Sequence, residues 1–141
     1  MVWNYQQRLA SWARLRNPAS DTPVAELLAG INHWWFQYPW TAYLLHWDDR
    51  EQWPDPWQLL EEPRLCSLAR GLGILYTIAM TDHPALTDAI LTETQDNNLV
   101  LVAEEKYILN WYPDQIVNID PGTTKNTKHQ VTLVQARQKI R

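Results

Sequence analysis

The residue best suited to covalent chemistry in this sequence is its only cysteine, Cys66. Pro63 is typical of a helix start, so the sequence predicts Cys66 in the first turn of a helix. Backbone N–H groups and the helix dipole favour a thiolate there. A cysteine nucleophile also needs a base, and no histidine has a spacing that forces it next to Cys66, although His46 or His83 could reach it from another loop. Because a lone cysteine is more often a small buried apolar residue, both interpretations stay open.

A second candidate site is the segment HWDDREQWPDPWQLL, residues 46–60, which concentrates carboxylates beside tryptophans. A hard cation needs several oxygen ligands that converge on one point. An EF-hand loop would place acids at alternating positions before a glycine and a distal glutamate, and that pattern is absent. We therefore expect no metal site. Instead, the aspartates cap the turn and its neighbouring helices or face a partner, and Arg50 offsets their charge. The polar residues concerned are His46, Asp48, Asp49, Glu51 and Asp55.

Tryptophan is concentrated in the same region, since six of the nine tryptophans lie between Trp34 and Trp57. An indole offers a large apolar area and one N–H that needs a partner, and tryptophan is enriched at interface hot spots. We expect most of these side chains in the core, with one or two exposed at a docking surface. Aromatic platforms also bind sugars or unstacked bases, but the neighbouring acids would repel a phosphate backbone. The sequence predicts that Trp47, Trp53 and Trp57 anchor the loop on the domain.

Charge divides the chain into an acidic body and a basic end. All 16 acidic residues but only seven of the 12 basic ones lie at or before Asp120, a net charge of −9, and the last 21 residues carry +5. We predict a single α+β domain over 1–120 and a basic C-terminal tail over 121–141 that docks on an acidic partner surface or stays solvated. The acidic body disfavours nucleic acid as a partner. Together with Trp47, Trp53, Trp57, Asp48, Asp49 and Asp55, the predicted partner-binding residues are Lys125, Lys128, Arg137 and Lys139.

Helical patterns come first along the chain and strand patterns second. Helices are predicted over about 2–16 and 23–37, in TAYLLHW, from Pro56, and from Pro63 to Gly71 or Gly73. Short runs rich in β-branched and aromatic residues then predict strands in ILYTIAM, DAILTET, NLVLVAEE, KYILNWY and QIVNI, with a further edge strand at 130–135. This order indicates an α+β fold in which N-terminal helices pack on a mostly antiparallel C-terminal sheet.

The totals exclude several classes of protein. A chain of 141 residues with one cysteine can bury a core without disulfide bonds. MVWNYQQRLASWARLR lacks the apolar stretch of a signal peptide, and no apolar run reaches the length of a membrane span. We expect a protein located in the cytoplasm of the producing cell or in a virion, with no membrane partner and no cofactor.

The stretch CSLARGLGILYTI, residues 66–78, resembles the core of transglutaminase-like proteins, which share the papain-like architecture. In the transglutaminase-like cysteine proteinases, a cysteine begins a buried helix, a histidine begins a later strand and an aspartate lies in the next one. If KYILNWYPDQIV occupies that last strand, Cys66 falls on the nucleophile, Asn98 on the histidine and Asn110 on the aspartate. A second register places Asp88 at the histidine. Neither register supplies a base, so the resemblance implies a scaffold without the family chemistry.

Three phrases, WWFQYPW, YLLHWDDREQWPDPWQLL and ARGLGILYTI, are similar to those of small proteins carried by tailed phages of aquatic bacteria. The similarity implies a phage-encoded protein made for the particle or its assembly. Our leading hypothesis is therefore a non-enzymatic interaction or assembly protein that binds a protein partner or itself. The alternative is a cysteine-dependent hydrolase or amidase of papain-like type that uses Cys66, and a third is small-molecule binding.

Overall fold

The computed structural model describes residues 3–18, 21–81, 83–95, 97–102, 106–113, 115–118 and 129–140. The predicted α+β class is confirmed, since helices precede an antiparallel sheet. In chain order, the elements are α1 (Tyr5–Arg16), α2 (Val24–Phe36), a 3-10 helix (Trp47–Gln52), α3 (Pro56–Glu61), α4 (Ser67–Met80), β1 (Ala89–Glu93), β2 (Asn98–Val102), β3 (Tyr107–Tyr112), β4 (Gln115–Asn118), β5 (Gln130–Thr132) and α5 (Leu133–Lys139).

The sheet has five strands in the order β4-β3-β2-β1-β5, and every neighbouring pair is antiparallel. Its register places Leu91 opposite both Val100 and Val131, and Val100 opposite Leu109. Directly opposed residues share a face of the sheet, so these four side chains form one apolar row. All four are buried in the main core cluster together with residues of α2 and α4. The helical layer therefore covers this face.

Helix α4 is the central element, and ten of its 14 residues are buried. Two glycines allow neighbours to approach its backbone closely. A Cβ atom added at Gly71 would lie 2.7 Å from Leu91 Cδ1, and one added at Gly73 would lie 2.5 Å from the Trp35 ring. Both distances are too short for a real contact, so only glycine lets the sheet and α2 pack at these points.

The prediction that this helix ends at Gly71 or Gly73 is wrong, and so is the strand predicted in ILYTIAM. The helix continues to Met80, and residues 74–78 are buried within it. A helix surrounded by other elements has no polar face, so its sequence reads as a continuous apolar run without helical periodicity. Tertiary packing overrides the weak local preference for a strand.

Two tryptophans tie the helices together through a single hydroxyl. The indole N–H groups of Trp12 in α1 and Trp35 in α2 both donate to Thr77 Oγ1 in α4, at 3.0 Å and 2.9 Å. The Thr77 hydroxyl in turn donates to the carbonyl of Gly73, at 2.8 Å. All three side chains are completely buried. The polar edge of each indole is thus satisfied inside the apolar core, as buried polar groups require.

The segment TAYLLHW is not the predicted helix. It is a loop with bends at Ala42 and Leu44. The loop is fixed at its start, where Thr41 N–H donates to the Leu65 carbonyl at 3.0 Å and Leu65 N–H donates to the Pro39 carbonyl at 2.9 Å. These bonds join the loop to the residue that precedes Cys66. The loop therefore has a defined position beside the start of α4.

The C-terminal prediction was a strand over 130–135, and the structure has a shorter one. Strand β5 covers Gln130–Thr132 at the edge of the sheet beside β1, and α5 follows at once. The Thr132 hydroxyl and the Gln135 side chain form a reciprocal capping box, which starts a helix where the strand pattern of the sequence continues. Leu133 and Ala136 are buried in the main core. Residues 129–140 thus pack on the body of the domain, and the rest of the predicted tail lies outside the described residues.

In the described part of the chain, no helix has the length and apolar character needed to cross a bilayer.

Candidate functional site

Cys66 lies at the N-terminal end of α4, one residue earlier than the first turn predicted for it. It is the N-cap residue, and its Sγ atom accepts a hydrogen bond from Ala69 N–H at 3.4 Å. The side chain is buried, with 5% of its surface exposed. No other hydrogen bond to this thiol occurs among the described residues. The thiol therefore acts as a weak helix cap within the core.

The fold brings together the three positions that the transglutaminase-like register assigned. Asn98 is the first residue of β2 and lines the same cavity as Cys66. Asn110 in β3 donates through Nδ2 to the backbone carbonyl of Ser67, at 2.9 Å, and to that of Asn98, at 2.6 Å. Asp88 of the second register lines a different cavity, beside α5. The structure thus places Asp88 away from Cys66 and Asn98.

Asn110 is a structural junction whose side-chain amide and backbone N–H have hydrogen-bond partners. Its Oδ1 atom accepts from Arg70 Nε at 2.6 Å, and its backbone N–H donates to Asn32 Oδ1 at 2.8 Å. Its φ angle of 67° lies in the left-handed region, which asparagine tolerates better than most residues. Through its backbone N–H, Asn110 joins β3 to α2, and through its side-chain amide it joins β3 to α4 and β2.

Arg70 places a half-buried cation one helical turn after Cys66. Its guanidinium lies over the Phe36 ring, 3.7 Å from the centroid. Burial lowers the pKa of Arg70 to about 10, and the neighbouring Cys66 opposes that change. A thiolate at Cys66 would thus be attracted to this charge. The arrangement could stabilise an ionised thiol, but it supplies no proton acceptor.

Asn98, which the first register aligned with the histidine of transglutaminase-like proteins, is bound to a tryptophan. Trp47 Nε1–H donates to Asn98 Oδ1 at 2.8 Å. An amide oxygen that accepts a hydrogen bond from an indole cannot serve as a general base at neutral pH. The asparagine instead fixes the orientation of Trp47 over the site.

A cavity of about 300 Å³ opens beside Cys66. Its wall contains His46, one of the two histidines expected to be able to reach Cys66, and His129, which the sequence did not single out. His129 Nδ1 lies 2.8 Å from Glu93 Oε1, and its ring stacks on Trp47 with the centroids 5.3 Å apart. His46 Nδ1 lies 2.9 Å from the hydroxyl of Tyr43. No spacing in the sequence predicted the approach of His129, because it depends on the pairing of β5 with β1.

The tryptophans predicted to bind a partner belong mainly to the interior. Trp47 and Trp53 are buried, Trp57 is half-buried, and the Trp53 indole donates to the His46 carbonyl at 2.7 Å. They hold the segment 46–60 in place and offer little surface to a partner. Burial limits the surface that Trp47 and Trp53 offer, and the assignment of Trp47, Trp53 and Trp57 as contact residues stays a prediction.

The predicted charged residues have different positions. Asp55 caps α3 in a reciprocal capping box with Gln58, whereas the neighbouring aspartates Asp48 and Asp49 are exposed. Arg137 is exposed, but Lys139 Nζ donates to the carbonyls of Glu51 and Trp53, both at 3.1 Å, which ties α5 to the 3-10 helix. Lys139 is thus used within the domain. Lys125 and Lys128 lie outside the described residues.

Four other aromatic side chains are exposed, and the sequence did not single them out. Trp40 and Tyr43, in the loop beside Cys66, are 62% and 66% exposed, and Trp111 and Tyr112 at the end of β3 are 41% and 44% exposed. The only available signal was residue type, which does not separate exposed aromatics from buried ones. These residues form two candidate contact surfaces, which we call the loop pair (Trp40, Tyr43) and the strand pair (Trp111, Tyr112).

Within the described ranges, no group of three or more histidine, cysteine or acidic residues is arranged to hold a metal ion. Comparison with protein-family models, with curated proteins and with solved structures found no match to this chain.

Proposed function

We propose that this chain is a non-enzymatic interaction or assembly protein that binds a protein partner or a second copy of itself. The observation that carries the proposal is the loop pair, two large aromatic side chains that are about two-thirds exposed. Their loop is fixed to the body by the backbone bonds between Thr41, Pro39 and Leu65. Exposed aromatic side chains on a rigid framework are typical of binding hot spots, because contact removes a large apolar area from water without much loss of conformational freedom.

The environment of Cys66 supports a role without catalysis. The thiol is buried and bonded only to a backbone amide among the described residues, and Asn98 and Asn110 hold structural hydrogen bonds at the positions of the family base and acid. These asparagines stabilise the packing of α4 on the sheet. The resemblance to small tailed-phage proteins is the ground for placing the chain in a virion or its assembly.

Measurement of association tests the proposal. We would compare the wild type with a Trp40→Ala/Tyr43→Ala variant by sedimentation velocity and by quantitative pull-down from producing cells. The matched control is Trp111→Ala/Tyr112→Ala, which removes two exposed aromatics from another surface. We expect a specific complex that is lost only in the loop-pair variant. The proposal would be contradicted if the wild type is monomeric and the same proteins co-purify with the wild type and with the loop-pair variant.

A second candidate is a cysteine-dependent hydrolase or amidase. It is supported by one observation, the shared cavity that Cys66 lines together with His46, His129 and Glu93. The test is the rate of alkylation of Cys66 in the native protein as a function of pH, with no background since the chain has a single cysteine. An unperturbed thiol has a pKa of about 8.5, and an activated thiol has a pKa of roughly 3.5–7.5. Rapid alkylation below about pH 7 would favour the enzyme. Absence of reaction until the protein unfolds would exclude it.

A further inference from the structure

The cavity beside Cys66 has acidic and aromatic walls and no described basic residue. Two carboxylates, Asp48 and Glu93, line it together with Tyr43, Trp47 and the two histidines, and among the described residues it contains no lysine or arginine. With neutral histidines its wall carries a charge of about −2. A cavity of about 300 Å³ is at the lower limit for small-molecule sites, so it has room for roughly one long side chain.

The two carboxylates are held differently. Glu93 is bonded to His129 at 2.8 Å, so its charge is fixed against the cavity wall. The Asp48 side chain is 92% exposed, and its Oδ1 atom lies 3.9 Å from His129 Nε2, beyond hydrogen-bond distance. Because Asp48 is highly exposed and this contact with the imidazole is long, its carboxylate can turn towards a charged group that enters the cavity. Its neighbour Asp49 is also exposed but does not line the cavity.

The rim of the cavity is aromatic. Tyr43 lines it, and the contact of its hydroxyl with His46, at 2.9 Å, holds the ring in a defined orientation although the side chain is 66% exposed. Trp40 lies three residues earlier on the same loop. A cation over an aromatic face gains electrostatic attraction, and the alkyl stem of a lysine or arginine gains apolar contact with the ring.

We infer that this cavity docks a lysine or arginine side chain from a segment of a partner protein. The inference rests on the proposed function and specifies its surface and its partner. Asp48 and Glu93 neutralise the incoming charge, Tyr43 contacts its stem, and Trp40 packs on the apolar residues beside it. The acidic body, at −9 over residues 1–120, attracts a basic segment from solution and raises the rate of encounter.

The probe is the peptide acetyl-Ala-Leu-Lys-Leu-Ala-amide, with norleucine in place of lysine as its control. Binding is followed by NMR through the indole N–H signals, of which that of Trp47 lies next to the cavity. We expect the lysine peptide to shift this signal and the norleucine peptide to leave it unchanged. Added salt should weaken binding, because Asp48 is exposed to screening.

Two pairs of matched variants locate the site. Asp48→Asn should weaken binding at least about threefold, and Asp49→Asn should not, although both remove one exposed carboxylate. Tyr43→Ala should weaken binding by a similar factor, and Tyr112→Ala should not. Thermal unfolding of each variant checks that the fold is kept. Equal effects of Asp48→Asn and Asp49→Asn would assign binding to the general acidic surface and overturn the inference.

Failure of this inference is distinguishable from failure of the proposed function. If no peptide binds but the Trp40→Ala/Tyr43→Ala variant still loses its partner, the cationic occupant is wrong and the interaction role stands. If the wild type self-associates in a salt-sensitive way that Asp48→Asn abolishes, the occupant is a second copy of this chain and a separate partner is excluded. If the peptide binds as expected but the protein never associates with a partner or with itself, the cavity binds a cationic side chain and the assembly role is wrong.

Discussion

The buried tryptophans and the exposed ones differ in what their indole N–H groups contact. Trp12, Trp34 and Trp35 donate to hydroxyl oxygens of Thr77 or Ser11 at 2.9–3.0 Å. Trp47 and Trp53 donate to Asn98 and to the backbone of His46 at 2.8 Å and 2.7 Å. Trp40 and Trp111 are exposed and have no such bond within the described residues.

The difference teaches that residue type alone does not identify the binding surface of a tryptophan-rich protein. A tryptophan whose N–H has a partner in the domain is part of the framework, because loss of that bond on exposure would be unfavourable. A tryptophan whose N–H faces water has no such constraint and can meet a partner. In this chain that criterion assigns Trp47 and Trp53 to the framework and Trp40 to the surface.

The strongest test of this comparison removes one tryptophan from each class. Trp35→Ala should lower the free energy of unfolding by about 3–5 kcal/mol, because it opens a cavity at the centre of the core. Trp40→Ala should change it by no more than about 0.5 kcal/mol, since that side chain is 62% exposed. Chemical denaturation monitored by circular dichroism measures both. A similar loss in the two variants would abolish the distinction.

The next test keeps both buried tryptophans and removes their shared acceptor. Thr77→Val preserves the side-chain volume but leaves the indole N–H groups of Trp12 and Trp35 without a partner. We expect a loss of at least about 2 kcal/mol, because each of the two buried donors left unsatisfied costs roughly 1–3 kcal/mol. Thr77→Ser retains the hydroxyl and should lose less. If valine is tolerated as well as serine, the hydrogen bonds contribute little and burial alone defines the framework tryptophans.

A smaller effect is expected from crowding the Trp35 ring. A Cβ at Gly73 would lie 2.5 Å from that ring, so Gly73→Ala should destabilise the protein by about 1–3 kcal/mol. Gly30→Ala is the control, because its Cβ would lie 3.9 Å from Leu15 Cδ1, an ordinary contact. That change should stabilise α2 by about 0.5–1 kcal/mol. Relative to the wild type, we expect a lower melting temperature for Gly73→Ala and a higher one for Gly30→Ala. A higher melting temperature for Gly73→Ala would mean that α2 and α4 are packed less tightly than the structure shows.

The smallest effect concerns Tyr38, which stacks on Trp35 with the ring centroids 5.5 Å apart. Burial raises the pKa of Tyr38 from 10.0 to about 12. In the folded protein the phenol therefore keeps its proton to higher pH than in the unfolded chain. Its contribution to stability is complete below pH 10 and is lost as the pH rises towards 12. Unfolding measured across this window should show the decline, and Tyr38→Phe should reduce it. An identical alkaline decline in the variant would assign the effect to other groups.

Local features of the fold were predictable because they depend on residues close together in the chain. The start of α3 follows from Asp55 and Gln58, which form a capping box three residues apart, and from Pro56 at the first helical position. The α+β order follows from the change between helical and β-branched patterns, and α2 was predicted to within one residue at each end. The length of α4 was not predictable, because its apolar face extends around the whole helix.

The candidate site was predictable only in part. Cys66 and Asn98 line one cavity, and Asn110 donates to the Asn98 carbonyl, whereas the transglutaminase-like resemblance that named these residues stays a prediction. His129 and Glu93 at the same cavity were not foreseen, because they meet through the pairing of β5 with β1. Nor did any local signal separate the exposed Trp40 from the buried Trp47.

By itself, the sequence determined the class of the fold, the start of α3, the single thiol and the acidic charge of the body. Interactions between neighbouring residues and simple composition are sufficient for these properties. Only the tertiary structure decided which tryptophans are framework and which are surface, and which carboxylates and histidines share a cavity with Cys66. Those properties depend on where α4 and the sheet lie relative to the loops, and that is set by packing between residues far apart in the chain.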